Sequence, residues 1–362
     1  MAELDIKLQR LAAVMDVHQV DAVHLRLASS FAWITGGKSS YINTASSTGL
    51  ASVLITRTGR YALTTNIEAP RIAEEEGLAA AGWDVRAAPW YAGDETLATL
   101  TAGLRVGSDL PAAGEVDLGG PVGRLRATLL PVEVDRFRAL GHLCATAMDA
   151  AIRRVRPGMT EYEIAGLLSH ETESRGAQAI VNLIATDERI FRFRHPLPTG
   201  KKMDKYAMLV LCGRREGLVC SVTRLVHFGP LSAELEQKQA ACAVVDATIL
   251  AATRPGARHN EILAKAQAAY AAEGFDGEWK LHHQGGPAGY EAREWLATPD
   301  TTDTVEVGHS YAWNPSITGT KVEDSILVGE NSNEIVTAIP GWPTIDVTID
   351  GITYARPAIL VI

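Results

Sequence analysis

The sequence predicts two consecutive domains, a smaller mixed α/β unit followed by a larger α+β unit, on three observations. Its 362 residues can bury a large core and suffice for two domains. The hydrophobic pattern changes near Pro131 from short apolar runs to long helical faces. A stretch rich in Gly, Pro and Asp, GSDLPAAGEVDLGGPVG, precedes that change and reads as a peripheral strand, a loop or an interdomain connection. The expected domains are therefore residues 1–131 and 132–362.

Within the first domain, Leu4, Leu8, Leu11 and Met15 recur at helical spacing, and VDAVHL, ASVLITRTG and RYALTTN read as strands separated by turns. In the second, apolar residues at 134, 137, 140, 144, 148 and 152 line one face of a long helix. Pro157-Gly158 breaks the chain, and Thr160 with Glu163 forms a T-x-x-E capping box opening a helix that stops at Gly176. Beyond it AIVNLIAT, YAMLVLCG, LVCSVTRLVHFG, SYAWNPSI and KVEDSILVG read as strands, with helices from about Ser232 to Thr253 and about Asn260 to Gly274.

Composition excludes several classes of function. Hydrophobic residues at 46% and charged residues at 21% are those of a folded globular chain. The net charge of −9 is spread along the sequence without a Lys/Arg run, which argues against nucleic acid as a partner. No run approaches the roughly 20 apolar residues of a membrane span. The charged, amphipathic start is unlike a signal peptide, so the expected location is the cytoplasm and no membrane partner is expected. Cys144, Cys212, Cys220 and Cys242 have neither C-x-x-C spacing nor disulfide-scaffold density and read as reduced thiols.

Five segments of the second domain carry the chemistry-bearing residues. In order they are RPGMTEYEIA, LVLCGRREGLVCSVTRLVHFG, HHQGGPAGYEARE, WNPSI and KVEDSILV. Together they resemble the catalytic domain of the pita-bread superfamily that includes creatinase, aminopeptidase P, prolidase and methionine aminopeptidase. The resemblance spans about residues 132 to 340 and implies an α+β pita-bread C-terminal domain. The region before it resembles the smaller creatinase-type α/β domain of the aminopeptidase P, prolidase and creatinase branch.

That resemblance implies a pair of metal ions held by two aspartates, one histidine and two glutamates, hard anionic ligands suited to divalent cations. Anchoring the hairpin on Thr223-Arg224 places Val210 and Ser221 at the two aspartates. Anchoring the loop on Gly289 and Glu294 places Gly286 at the metal-binding histidine, and Asn314 falls at the first glutamate. Glu323 alone is retained. The expectation is an Xaa-Pro-peptidase-like protein with a degenerate metal site, without a cofactor and inactive as a metallopeptidase, whose cleft binds a small molecule or short peptide. A homodimer is expected on the resemblance alone.

His195 matches the family histidine that contacts substrate and that serves as the general acid/base in metal-free creatinase. With Glu323 it suggests an alternative, a metal-independent C–N hydrolase. The opposing readings are a His195 that hydrogen-bonds backbone and a Glu323 that pairs with Arg or Lys. His282, with His283 beside it, falls at a substrate-binding histidine. Arg293 replaces a second histidine, and as a permanent cation it suits a carboxylate ligand or a pairing with Glu323 or Glu294. Ser221 and Arg224 complete the expected cleft. A residual Xaa-Pro peptidase would need a single metal held by Glu323, Asn314 and a histidine such as His282.

Overall fold

The computed structural model describes residues 2–93 and 95–362. It divides into two compact units, one running to Ala127 with Glu216–Leu218, the other comprising Thr128–Arg215 and Val219–Ile362. Among the described residues no helix is long and apolar enough to cross a membrane.

The first unit contains α1 (Glu3–His18), β1 (Ala22–Leu27), α2 (Ala28–Thr35), β2 (Thr48–Thr56), β3 (Arg60–Thr65), β4 (Asp84–Ala88), α3 (Thr96–Leu100), β5 (Val106–Ser108), β6 (Val116–Asp117) and α4 (Gly119–Ala127). Its strands form one six-stranded sheet in the order β4-β3-β2-β1-β5-β6. The antiparallel β1–β2 and β2–β3 pairs lie between parallel pairs at either side. Central β1 is buried on both faces at Val23, His24 and Leu25, which is why VDAVHL reads as an apolar run rather than an alternating one. The Gly/Pro/Asp-rich stretch supplies the short strand β5, the edge strand β6 and α4.

The second unit contains α5 (Pro131–Ile152), α6 (Glu161–Glu173), β7 (Gln178–Thr186), α7 (Glu188–Arg192), β8 (Tyr206–Arg215), β9 (Leu218–His227), α8 (Ala233–Ala252) and α9 (His259–Ala272). The strands β10 (Gly285–Ala288), β11 (Ser310–Trp313), β12 (Ser316–Ile317), β13 (Thr320–Lys321) and β14 (Asp324–Val328) follow. The chain closes with β15 (Asn333–Ile335), β16 (Thr344–Ile349), β17 (Ile352–Pro357) and β18 (Leu360–Val361). Pro131 occupies the first turn of α5, where its missing N–H costs nothing. Thr160 and Glu163 make the expected reciprocal cap of α6.

Two four-stranded sheets organise this unit, β18-β9-β8-β7 and β10-β11-β14-β15. The helical face of α8 and α9 (Val245, Ile249, Ile262, Ala266, Tyr270) packs with Tyr311, Trp313, Ile326 and Val328 of the second sheet. Two expected strands are interrupted. Pro315, which has no N–H for a ladder, separates β11 from β12, and KVEDSILVG divides into β13 and β14. The sheets meet where β9 is not covered by β18, which pairs only at Val226 and His227. There Thr223 bridges Glu323, and Ser221 N–H donates to Ser325 Oγ at 2.9 Å.

Candidate functional site

The seam between the two sheets brings charged residues from distant segments together. Glu323, 2% exposed, lies just before β14 and turns its carboxylate toward β9. Arg293 Nη2 donates to Glu323 Oε1 at 2.9 Å, Lys321 Nζ stands 2.8 Å from Oε2, and Thr223 Oγ1 donates to Oε2 at 2.5 Å. Burial opposes ionisation, but the charges of Lys321 and Arg293 and the hydrogen bonds from Lys321 and Thr223 outweigh it and hold this carboxyl at about 2. Glu323 is thus a permanent anion whose two oxygens are engaged by three side chains.

Arg293 also reaches Ser221 Oγ, at 3.2 Å, and Ser221 Oγ lies 3.2 Å from Cys212 Sγ on the neighbouring strand. Burial and then the Glu323 charge push the Cys212 thiol up to about 11, so it is a neutral thiol here and not a nucleophile. Arg224 does not share this cluster. It is 2% exposed, donates to the Thr223 and Glu323 carbonyls and pairs with Asp324 at 2.7 Å, on the opposite side of the strand from the Glu323 carboxylate. Asp324 also pairs with Arg356, which pairs in turn with Asp246, so the expected cleft residue Arg224 belongs to a buried four-charge network.

The remaining positions matched to metal ligands differ in kind. Val210 lies in an apolar cluster with Leu183, Met208 and Leu225. Gly286 has no room for a side chain, because a Cβ there would stand 2.3 Å from the Trp295 carbonyl oxygen. Asn314 is 2% exposed, and its Oδ1 is buried with no hydrogen-bond partner among the described residues.

A second group is built by the segment after α7 and the loop leading into β10. His195 Nε2 and His282 Nε2 are 3.1 Å apart, and the His283 ring centroid is 4.6 Å from that of His282 and 5.7 Å from that of His195. His282 Nδ1 lies 3.3 Å from Ser316 Oγ, whereas His283 Nδ1 is buried without a hydrogen-bond partner. Burial, then Lys321, brings His282 down to about 2; burial, then Arg293, brings His283 to about 4; burial, then Lys321, also lowers His195. All three rings are neutral near pH 7. A pocket beside His282 is lined by Ile190, Phe193, Arg194, Met208, Ser316 and Lys321.

The sequence motifs locate Glu323, Arg293, Ser221 and the histidines, and Cys212 is the reduced thiol expected, but neither Lys321 nor the place of Cys212 beside Ser221 is written in them. Lys321 was accessible from spacing, since residues two apart in an extended strand share a face. Cys212 depended on the pairing of β8 with β9 across the hairpin, which places its sulfur opposite Ser221.

An uncharacterized peptidase of Staphylococcus saprophyticus is 24% identical to this chain over 237 residues. That match covers 61% of this chain and 65% of the relative, just under two thirds of its length. An Xaa-Pro dipeptidase from Bacillus anthracis superposes with a TM-score of 0.80 at 17% identity, covering 99% of this chain and 100% of that one. A prolidase from Pyrococcus horikoshii superposes with a TM-score of 0.79 at 18% identity, covering 92% and 98%. These likenesses show the fold, an N-terminal domain followed by a C-terminal pita-bread domain. The profile of metallopeptidase family M24 matches residues 135–330, more than half of the sequence, and the chain belongs to that family.

Proposed function

We propose that this M24 member does not work as a dinuclear metallopeptidase and instead uses its pita-bread cleft to bind a small molecule or short peptide. The observation that carries this reading is the ion-paired Glu323. Where the family resemblance calls for two divalent cations, Arg293 and Lys321 already neutralise the one retained carboxylate. Val210, Ser221 and Asn314 offer no anionic oxygen, and Gly286 has no space for an imidazole. A pair of divalent cations at such a site would meet two fixed positive charges and one carboxylate already engaged, so these residues do not fit the family's metal pair.

Positive binding features remain. Asn314 Oδ1, Arg293 Nε and His283 Nδ1 are buried without hydrogen-bond partners among the described residues, and such groups gain most when a polar ligand pairs with them. Arg293 and Lys321 favour a ligand carrying a carboxylate. The test is calorimetric titration of tag-free protein with Xaa-Pro dipeptides, followed by chromatography of the mixture. Saturable binding with the dipeptide recovered intact supports the reading, and cleavage or the absence of any binding refutes it.

A metal-independent hydrolase remains the second reading, favoured by the neutral His195–His282 pair. It must proceed without Glu323 as a proton carrier, because that carboxylate stays ionised and bound at neutral pH. The homodimer is a further part of the proposal, resting on family resemblance; light scattering on the purified chain tests it.

A further inference from the structure

We infer that His195, His282 and His283 form a mononuclear site for a borderline transition-metal dication of the zinc(II) or cobalt(II) kind, distinct from the five positions at which the family resemblance places metal ligands. One ring nitrogen of each histidine lies within 4.8 Å of the others. Three nitrogens around a tetrahedral zinc ion, at about 2.0–2.1 Å from it, stand roughly 3.3–3.4 Å from each other. The 3.1 Å between His195 Nε2 and His282 Nε2 already approaches that spacing, and His195 is exposed on a loop, so small rotations of its ring and that of His283 close the rest.

The surroundings supply what an imidazole ligand set needs. With its Nδ1–H donating to Ser316 Oγ, His282 presents the Nε2 lone pair to the other two rings, the outer-sphere bond that orients metal-binding histidines. His283 Nδ1 is buried and without a hydrogen-bond partner among the described residues, which is costly unless something occupies the space it faces. The exposure of His195 leaves one side open for a fourth ligand.

The field of the neighbours shapes the chemistry of that fourth ligand. Lys321, Arg293 and Glu323 together leave one net positive charge beside the histidines, which opposes a bare dication. An anionic fourth ligand, hydroxide or the carboxylate of a bound molecule, relieves that repulsion, so metal and anion should bind more tightly together than separately. Imidazole ligands also favour zinc, cobalt, nickel and copper over manganese and magnesium, the reverse of an oxygen-rich site.

The experiment uses tag-free, full-length protein stripped with chelator and dialysed against zinc chloride or manganese chloride, with bound metal counted by mass spectrometry. The expected result is about one zinc and no manganese per chain, as for three imidazoles with one open position. His195→Ala and His283→Ala should each weaken zinc binding by at least about tenfold, and Glu323→Gln, which removes a neighbouring charge but no ligand, should weaken it less. Cobalt loading should give the intense visible bands of a four-coordinate ion, absent from His195→Ala, whose exposed position leaves the fold unaltered by circular dichroism. Negligible zinc in the wild-type chain, or stoichiometric zinc in both histidine variants, overturns the assignment. Zinc lost from Glu323→Gln but kept by the histidine variants also overturns it and returns the metal to the family's own ligand positions.

Discussion

Replacing Glu323 by glutamine isolates the charge that the seam is built around. Glutamine keeps the shape and can still accept from Thr223, but it leaves Arg293 and Lys321 buried beside a neutral group. At the observed N–O separations of 2.9 and 2.8 Å, each ion pair corresponds to about 6 kcal/mol at an effective dielectric of about 20. Most of that is returned by the desolvation the carboxylate no longer suffers, and the loss on breaking a buried pair from one side is about 3–5 kcal/mol. With a urea slope near 3 kcal/mol/M, the unfolding midpoint should fall by about 1–1.7 M. Tryptophan fluorescence in chelator-containing buffer reads this directly, since the chain has seven tryptophans. Acetate or formate at high concentration should restore part of the loss by occupying the vacated charge. If Glu323 were instead a ligand waiting for metal, the same substitution in chelator would leave stability within about 1 kcal/mol of the wild type, and that result would refute the reasoning.

Four further outcomes follow from named contacts. His259 and His309 are buried and neutral, each lowered from 6.5 to about 4 chiefly by burial. Between those values the unfolded chain binds protons that the folded chain refuses, so this stability is complete above about pH 6.5 and is lost as pH falls toward 4, with about 3 kcal/mol per residue as the upper figure. Urea midpoints at pH 7.5 and 5.0 check it, and equal midpoints would contradict it. Glu323 titrates in a lower window: its carboxyl, held at about 2, gives stability that persists above the ordinary carboxylate range and disappears only as pH falls toward 2. Gly286→His, which restores the family's residue type, should fail to recruit manganese and should lower the melting temperature by several degrees, because its Cβ meets the Trp295 carbonyl oxygen at 2.3 Å and overpacking costs about 1–3 kcal/mol. Arg356→Met removes the partner that holds Asp246 at 1% exposure and should cost about 3–5 kcal/mol by thermal or urea unfolding; a change under about 1 kcal/mol would show that the buried network does not need it.

The strands of the β8–β9 hairpin were legible in the sequence because burial on both faces makes them continuous apolar runs, and α6 because its capping box is written in four residues. The short helix α7 carried no comparable signal, since five residues span barely more than one turn. Motif spacing identifies Ser221, Gly286, Asn314 and Glu323, and the pairing of Glu323 with a cation, Arg293 among the candidates, was legible; Lys321 as its second partner and the lack of room at Gly286 were not. The closed space at Gly286 is set by the backbone of Trp295, and the cations on Glu323 come from two separate segments. The resemblance places His195, His282 and His283 in one cleft, but the contact between their rings is not legible, because His195 and His282 are 87 residues apart and only the folded loops bring them together. Arg224 shows the opposite error: a motif residue beside the seam whose side chain serves the buried charge network.

The central claim is that Arg293 and Lys321 stand in for the family's metal pair around Glu323. The most direct measurement combines manganese stoichiometry with Gly-Pro turnover on the same chelator-stripped, manganese-supplied protein. The account predicts no bound manganese and no product; about two manganese ions per chain, with turnover abolished by Glu323→Gln, would contradict it.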